Sequence, residues 1–209
     1  AETNFENFTT KYPRSPLTER ARFLRLDCLY RQTLRYELDQ APTNRCLSAL
    51  AEYLRDYPSN DHISECEAML KDLNDRLDTK AYEAAKLYYK MEDYLAARVA
   101  LRNVLKDDAE NIYREDILFY TAKSSYKYAQ LSVPQKQRER YLVFIDDYLN
   151  FKGENPESKY VKELDYLYSR AQKALGKRSE DYEKEIKEKA YAKERKKLEK
   201  ALAKEKKQK

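Results

Sequence analysis

The sequence predicts an all-α protein built of stacked helix pairs, and three observations support this. Only 2 of the 209 residues are glycine, where average usage would give roughly 15, which disfavours turn-rich β-sandwiches and barrels. Apolar residues recur at three- and four-residue steps along most of the chain. Chain breaks recur at Pro13, Pro58, Ala109 and Pro156, which are 45, 51 and 47 residues apart. A helix pair cannot bury its apolar face alone, so this recurrence predicts a solenoid.

The breaks share a local pattern that predicts where helices end. A proline inside a helix costs roughly 3 kcal/mol, so we expect helices to stop near Tyr12 and Tyr57. Apolar residues stand eight and five positions before each break. These pairs are Phe5 and Phe8, Leu50 and Tyr53, Leu101 and Val104, and Tyr148 and Phe151.

Between the breaks, the apolar pattern predicts the remaining helices in order. They cover residues 17–34, 45–56, 62–77 and 79–91 (as one helix or two), 94–106, 113–131, 135–151 and 157–175. We expect a loop over residues 35–44, which contains Pro42, and a turn at residues 92–93. Pro134 suits a first helical turn, and Gly176 is predicted to cap the last of these helices.

The end of the chain differs in composition from the rest. Residues 177–209 contain 14 Lys+Arg against 8 Asp+Glu, a net charge of +6, while the preceding residues carry a net −1. We therefore predict a repeat domain over residues 1–176 and a basic tail over 177–209, with a projecting helix at 178–206. A solvated charged helix is favoured for this tail over one that binds nucleic acid or anionic lipid.

The chain offers little that could carry out chemistry. Its glycines, Gly153 and Gly176, stand alone, so no phosphate-cradling loop can form. His62 is the only histidine, which removes multi-histidine metal sites, and its position near a helix start favours a surface or capping role. Cys28, Cys46 and Cys66 form no C-x-x-C pair and lie beside apolar residues, so we expect small hydrophobic roles. The sequence leaves one alternative undecided, namely a single disulfide between two of these cysteines in an oxidising compartment.

Carboxylates are plentiful but poorly arranged for catalysis or metal binding. The aspartate doublets at 107–108 and 146–147 consist of adjacent residues, which point about 100° apart on a helix. Asp72, Asp75 and Asp78 lack the glycine and final glutamate of a calcium loop, so a solvated helix face is the better interpretation. We predict no catalytic residue, no metal site and no cofactor.

Residues 81–109 resemble the tetratricopeptide repeat. Ala84, Ala85 and Tyr88 occupy its L-G-x-x-Y positions, and Ala97 and Leu101 its A-x-x-x-F positions. Ala109 falls where the closing proline belongs. We expect the two alanines, Ala85 and Ala97, to let antiparallel helices approach to ~8 Å, with Tyr88 and Leu101 filling the groove. The fold class predicted is therefore a tetratricopeptide-like helix-turn-helix solenoid with a C-terminal projecting helix.

A narrower resemblance is carried by the breaks and by one helical turn. The sequences Tyr-Pro-x-Ser at 12–15 and Asp-Tyr-Pro-Ser at 56–59, and the segment LYYKMEDYLAA at 87–97, resemble the BamD family of lipoproteins of the outer-membrane β-barrel assembly machinery. The resemblance covers roughly residues 5–175, with a longer loop at 35–44 and an additional lysine-rich tail. It implies a periplasmic protein tethered to the outer membrane by a lipidated cysteine upstream of Ala1. Phe5, Phe8 and Pro13 would then end a second helix whose first helix also lies upstream.

The resemblance implies a non-enzymatic scaffold. Its partners would be the barrel-forming assembly subunit, through that subunit's periplasmic domain, other assembly lipoproteins and unfolded outer-membrane proteins. We expect the subunit contact within residues 112–175. Because tyrosine and arginine are enriched in interface hot spots, the candidate partner-binding residues are Arg138, Arg140, Tyr141, Tyr148, Lys159 and Tyr160. In the alternative interpretation, the tyrosines fill the helix stack and the arginines are solvated.

A second hypothesis is a cytosolic tetratricopeptide adaptor that clamps short peptides. Such a clamp would use lysines that face inward from successive helices, namely Lys80, Lys86, Lys90 and Lys123. A third hypothesis, nucleic-acid binding through the basic tail, is the least favoured, and we predict no nucleic-acid partner.

Overall fold

The protein folds into helices joined by short turns. The computed structural model describes residues 1–59 and 61–176, and its helices are α1 (Glu2–Lys11), α2 (Thr18–Arg31), α3 (Ala41–Asp56), α4 (Ile63–Lys90), α5 (Tyr94–Asp107), α6 (Arg114–Gln130), α7 (Pro134–Glu154) and α8 (161–176). These residues contain no strand, and none of their helices combines the length and apolarity needed to cross a membrane. The all-α, tetratricopeptide-like class predicted from the sequence is confirmed. The predicted tail and its projecting helix lie outside the described residues.

The helices end with the same backbone geometry at the predicted breaks. Tyr12, Tyr57 and Asn155 each end a helix with φ between −128° and −131° and ψ between 59° and 67°. In each case the backbone N–H donates to the carbonyl four residues earlier, and Asp108 does the same before the break that has alanine in place of proline. A following proline pushes the preceding residue out of the helical region, which fixes these ends.

Several predicted boundaries are wrong. α2 ends at Arg31 rather than at residue 34, α7 ends at Glu154 rather than at residue 151, and α8 begins at residue 161 rather than at residue 157. α3 begins at Ala41, four residues before its predicted start, and Pro42 lies in its first turn. Proline is tolerated there because its missing N–H would have had no partner within the helix. Gly176 is not a C-cap: it lies within α8, and no glycine of residues 1–59 and 61–176 has positive φ. The open question at residues 62–91 is settled, since Ile63–Lys90 forms one helix.

The described residues divide into two compact units, and two of the boundaries between them fall within α4 and α5. The first unit combines Ala1–Leu87 with Asn103–Arg114, and the second combines Tyr88–Arg102 with residues 115–176. Repeat arrays divide in this way because each repeat contacts only its neighbours. Whether residues 1–176 act as one domain stays a prediction.

In the first unit, α1 packs on α2 and α2 packs on α3. The core is formed by residues from α2, α3 and α4, and it includes two of the three cysteines. Its fully or almost fully buried members are Leu26, Leu29, Cys46, Leu50, Tyr53, Cys66 and Leu73. Burial raises the pKa of Cys46 to about 11, so its thiol stays protonated. Cys46 and Cys66 therefore act as the small apolar residues expected from the sequence, and all three cysteines are free.

In the second unit, α6 is the central helix. Nine of its residues are buried, on almost every side, among them Ala122 and Ser125. Aromatic rings from α6 and the neighbouring segments fill the spaces around it. Phe119 stacks on Tyr160 with ring centroids 4.0 Å apart, and Tyr126 meets Phe144 edge to face at 5.3 Å.

The tetratricopeptide-like positions are partly as expected. Ala85, Ala97 and Leu101 are buried. Tyr88 is not, because 43% of its surface is exposed. The expectation that its ring fills a groove between helices is therefore wrong.

Candidate partner-binding groove

A polar node ties three helices of the second unit together. Arg98 of α5 binds Asp147 of α7 through two contacts, Nε to Oδ2 at 2.7 Å and the second guanidinium nitrogen to Oδ1 at 3.2 Å. Ser125 of α6 donates a short hydrogen bond to the same carboxylate. Both charged side chains are mostly buried. Removing either charge would leave the other buried and unpaired, so this node fixes the spacing of α5 and α7 over α6.

A groove of about 240 Å³ lies beside this node. Residues of α5, α6 and α7 line it. Its lining residues are Leu95, Arg98, Ser125, Tyr128, Lys136, Glu139, Arg140 and Val143. We refer to this site as the α5–α7 groove. Its lining combines the apolar side chains of Leu95 and Val143 with the cations Arg98, Lys136 and Arg140.

Arg140 is the candidate residue that lies in this groove. Its guanidinium lies 3.9 Å from the centroid of the Tyr128 ring and donates a short hydrogen bond to Ser132 Oγ. Arg138, two residues earlier on α7, is exposed and does not line the groove. The two arginines, equal candidates from the sequence, therefore differ in structure.

The candidate tyrosines lie mostly within the helix packing. Tyr141 is buried and packs against Tyr126 at 5.9 Å. Tyr148 is buried, stacks on Tyr168 at 4.5 Å and donates a 2.6 Å hydrogen bond to Asp165. Both tyrosines therefore have the positions expected in the alternative interpretation, in which they fill the helix stack.

Tyr160 and Lys159 sit on the segment before α8. Tyr160 is half-buried and donates a 2.6 Å hydrogen bond to Asp116, which raises the pKa of its hydroxyl. The exposed Lys159 ammonium lies 4.7 Å from the Tyr160 ring, and contact with the Tyr160 hydroxyl raises the lysine pKa. Lys159 and Tyr160 therefore contact each other, but neither residue lines the α5–α7 groove.

The lysines of the peptide-clamp hypothesis are engaged within the protein. Lys80 donates to the backbone carbonyls of Tyr36 and Leu38, at 3.1 and 2.8 Å, and so holds the loop before α3. Lys86 pairs with Glu83 at 3.3 Å. Lys123 pairs with Glu163 at 3.0 Å; although burial opposes its charge, this pairing raises its pKa. A clamp would have to break these contacts, so the structure gives this hypothesis no support.

The residues weighed for chemistry have structural partners. The ring of His62 stacks on Phe23 with centroids 3.7 Å apart, and its Nδ1 lies 3.1 Å from Glu65. Asp72 accepts a hydrogen bond from Tyr30 and pairs with Arg76, so the face it shares with Asp75 and Asp78 is not merely solvated. Within residues 1–59 and 61–176, no group of three His, Cys, Asp or Glu side chains could hold a metal ion.

Several groove residues were missed in the sequence. Ser125, Tyr128 and Val143 follow the apolar pattern of a helix interior, and nothing local distinguishes their groove-facing positions. Lys136 and Arg140 are four residues apart on α7, which places them on one face. This four-residue spacing is the feature of the sequence that indicates a shared helix face for the two cations.

Comparisons with known proteins agree on a family. A family model, YfiO, described as an outer membrane lipoprotein, matches residues 1–143. The outer membrane protein assembly factor BamD of Caulobacter vibrioides is 25% identical to this chain over 114 residues, which cover 54% of this chain and 37% of that relative. The chain thus aligns with well under half of that protein's length. Every lining residue of the α5–α7 groove lies within the matched residues 1–143.

Proposed function

Because the chain belongs to the YfiO family of outer membrane lipoproteins, we propose that it is a non-enzymatic scaffold for outer-membrane protein assembly. It binds the periplasmic domain of the barrel-forming assembly subunit through its second compact unit. It also meets other assembly lipoproteins and unfolded outer-membrane proteins. Its place is the periplasmic face of the outer membrane, where a lipid anchor holds it.

The α5–α7 groove is the observation that carries this proposal. It is a concave site within the family match, it presents Arg140, and its walls are fixed by the ion pair between Arg98 and Asp147. Leu95 of its lining is exposed, and so is Val99, which lies one helical turn further along α5. Arginine and tyrosine are enriched in binding hot spots, and the groove lining contains Arg140 and Tyr128. Residues 1–176 are the binding body in this proposal.

The remaining candidate residues have graded roles. Arg140 contacts the partner directly, and Arg138, Lys159 and Tyr160 offer surface at the edge of the same unit. Tyr141 and Tyr148 are buried, so they support the surface by packing rather than by touching the partner.

The test of this function is co-purification and depletion. The full-length protein, tagged at its C-terminus, is captured from the detergent-solubilised envelope of its own organism. We expect a large β-barrel protein to co-purify, and depletion of the scaffold to lower the amounts of several β-barrel proteins in the outer membrane. Recovery of no barrel protein, together with unchanged barrel levels on depletion, would contradict the proposal.

A further inference from the structure

The α5–α7 groove contains a cation whose charge is not neutralised. Arg140 is half-buried, and its two contacts are the Tyr128 ring and the Ser132 hydroxyl. Neither partner carries a negative charge. In the part of the chain that the structure describes, no carboxylate lies within ion-pair distance of this guanidinium.

Three other half-buried cations of the second unit pair with carboxylates. Arg98 pairs with Asp147, Lys123 with Glu163 and Lys152 with Asp165. Among the half-buried cations that the structure describes in this unit, Arg140 and Lys127 have no such carboxylate partner, and of these two Arg140 lines the groove. A guanidinium has five N–H donors and binds carboxylates through two parallel hydrogen bonds. Stacking on Tyr128 holds its plane in place, so little side-chain entropy is left to lose when a carboxylate binds.

The charges around Arg140 favour an anionic ligand. Lys136 and Arg140 are positive and Glu139 is negative, while the charge of Arg98 is balanced by Asp147. The lining therefore keeps an excess of positive charge. Leu95 and Val143 add apolar wall on either side, and 45% of the Leu95 surface is exposed.

The size of the groove limits what can occupy it. A volume of about 240 Å³ is below the range of about 300–1,000 Å³ for sites that hold drug-sized ligands and cofactors. It suits one or two side chains of a protein segment. The combination of charge, apolar wall and size selects an acidic side chain next to an apolar one.

We propose that the α5–α7 groove binds a carboxylate side chain of the partner protein, paired with Arg140, while a neighbouring apolar side chain of the partner packs on Leu95 and Val143. This rests on the proposed function, because it names the chemistry of the partner segment that the scaffold binds.

The first test reads the groove without the partner. The full chain, labelled with ¹⁵N, is titrated with N-acetyl-leucyl-glutamate amide, and the Arg140 Nε–H signal is followed by NMR. We expect a saturable shift that N-acetyl-leucyl-glutamine amide does not produce. Arg140→Gln abolishes the response at the amides of Ser125 and Val143, whereas Arg102→Gln, which changes an exposed arginine of the same unit outside the groove lining, keeps it. Equal shifts with the glutamine peptide, or no saturable shift, would overturn the proposal.

A third arm of this titration uses inorganic phosphate. We expect phosphate to bind more weakly than the glutamate peptide, because it makes no apolar contact with Leu95 and Val143. Tighter binding of phosphate would overturn the proposal in favour of a general anion site.

The second test uses the partner. Affinity is measured between the full chain and the purified periplasmic domain of the barrel-forming subunit of the same organism. We expect Arg140→Gln to weaken binding about tenfold and the control Arg102→Gln to change it less than about twofold. If the wild type binds and Arg140→Gln binds equally well, the groove proposal fails and the scaffold function stands. If the wild type does not bind, the scaffold function fails, and the peptide titration alone decides the groove.

Discussion

Some tyrosine hydroxyls of this protein bind carboxylates, whereas one is buried without a partner among the described residues. Those of Tyr30, Tyr148 and Tyr160 donate to carboxylates at 2.6–2.7 Å. The Tyr53 hydroxyl lies in the core of the first unit, where only 2% of the residue is exposed, and it has no hydrogen-bond partner among residues 1–59 and 61–176. Burial raises the pKa of Tyr53 to about 12, so it remains neutral. An unpaired buried hydroxyl is a net cost to stability.

We therefore expect Tyr53→Phe to stabilise the protein by about 1 kcal/mol, because it removes an unsatisfied group and keeps the ring. The matched variant Tyr148→Phe removes a hydroxyl that bonds Asp165, and it should destabilise by about 1 kcal/mol. Both values come from urea unfolding followed by circular dichroism. A loss of stability in Tyr53→Phe as large as that in Tyr148→Phe would show that the Tyr53 hydroxyl is satisfied in solution.

Two aspartates are expected to respond to pH in opposite directions. Burial raises the pKa of Asp78, although the Ile112 N–H that donates to it at 3.0 Å opposes this, and the nearby Asp108 raises it further. Lys152 lowers the pKa of Asp165, helped by the Tyr148 hydroxyl. A raised pKa in the folded state means that stability is greatest below the unfolded value of about 3.9 and is lost as pH rises through the folded pKa. A lowered pKa means that stability is present above the unfolded value and is lost as pH falls.

Asp78→Asn should therefore be more stable than the wild type at pH 7, and its advantage should shrink as the pH approaches 3.5. Asp165→Asn should be less stable at pH 7, and its deficit should shrink over the same interval. The free energy of unfolding is measured for the three proteins at several pH values, and the variant-minus-wild-type differences are compared. Differences with the same sign of slope in both variants would contradict this assignment.

At the scale of single elements, the turn between α4 and α5 contains a residue with an unusual backbone conformation. Glu92 has φ of 62°, in the left-handed region that favours glycine. The N–H of Asp93 donates to the Tyr88 carbonyl and the N–H of Glu92 to the Tyr89 carbonyl, which is the hydrogen bonding of a Schellman C-cap. Asp93 then caps the start of α5 by accepting from the Ala96 N–H at 3.0 Å. The turn is well bonded, but its left-handed position holds a residue with a side chain.

Glu92→Gly is expected to stabilise the protein by about 1 kcal/mol, because glycine adopts this conformation without steric cost. Glu92→Ala keeps the strained φ and is the control; we expect no comparable gain from it. Thermal unfolding at neutral pH measures both. Equal midpoints for the glycine and alanine variants would mean that Glu92 is not strained in solution.

The elements also show why the sequence predicted some features and not others. Helix ends at Tyr12, Tyr57 and Asn155 depend on the next residue being proline, which is local information. The start of α3 was misplaced because Pro42 is compatible both with a loop and with a first helical turn. Tyr88 resembles a packing position, yet its burial depends on tertiary neighbours that spacing does not specify.

The α5–α7 groove depends on contacts between residues that are far apart in the sequence. Arg98 and Asp147 are 49 positions apart, and no local pattern shows that they meet. From the sequence, Arg138 and Arg140 were equivalent. Only the stacking on Tyr128 and the placement of α5 separate a groove residue from an exposed one. The family was recognised from short motifs because these depend on local sequence, whereas the binding surface depends on packing.

At the scale of the whole molecule, the division into two compact units has a thermodynamic consequence. The stability of a repeat protein is approximately a sum of local terms and nearest-neighbour terms. Parts of such a chain open with different free energies. Leu50 lies in the core of the first unit and Phe144 in the core of the second, and both are fully buried.

Leu50→Ala and Phe144→Ala should therefore act mainly on their own units. Each removes a buried side chain, and the expected cost is about 2–5 kcal/mol for the leucine and 3–5 kcal/mol for the phenylalanine.

Hydrogen exchange measured by mass spectrometry gives the protection of peptides from each unit separately. In Leu50→Ala we expect faster exchange chiefly in peptides of α2 and α3, and in Phe144→Ala chiefly in peptides of α6 and α7. A uniform loss of protection across all peptides in both variants would mean that the two units unfold as one, since a nearest-neighbour array confines most of the damage to the repeat that is altered.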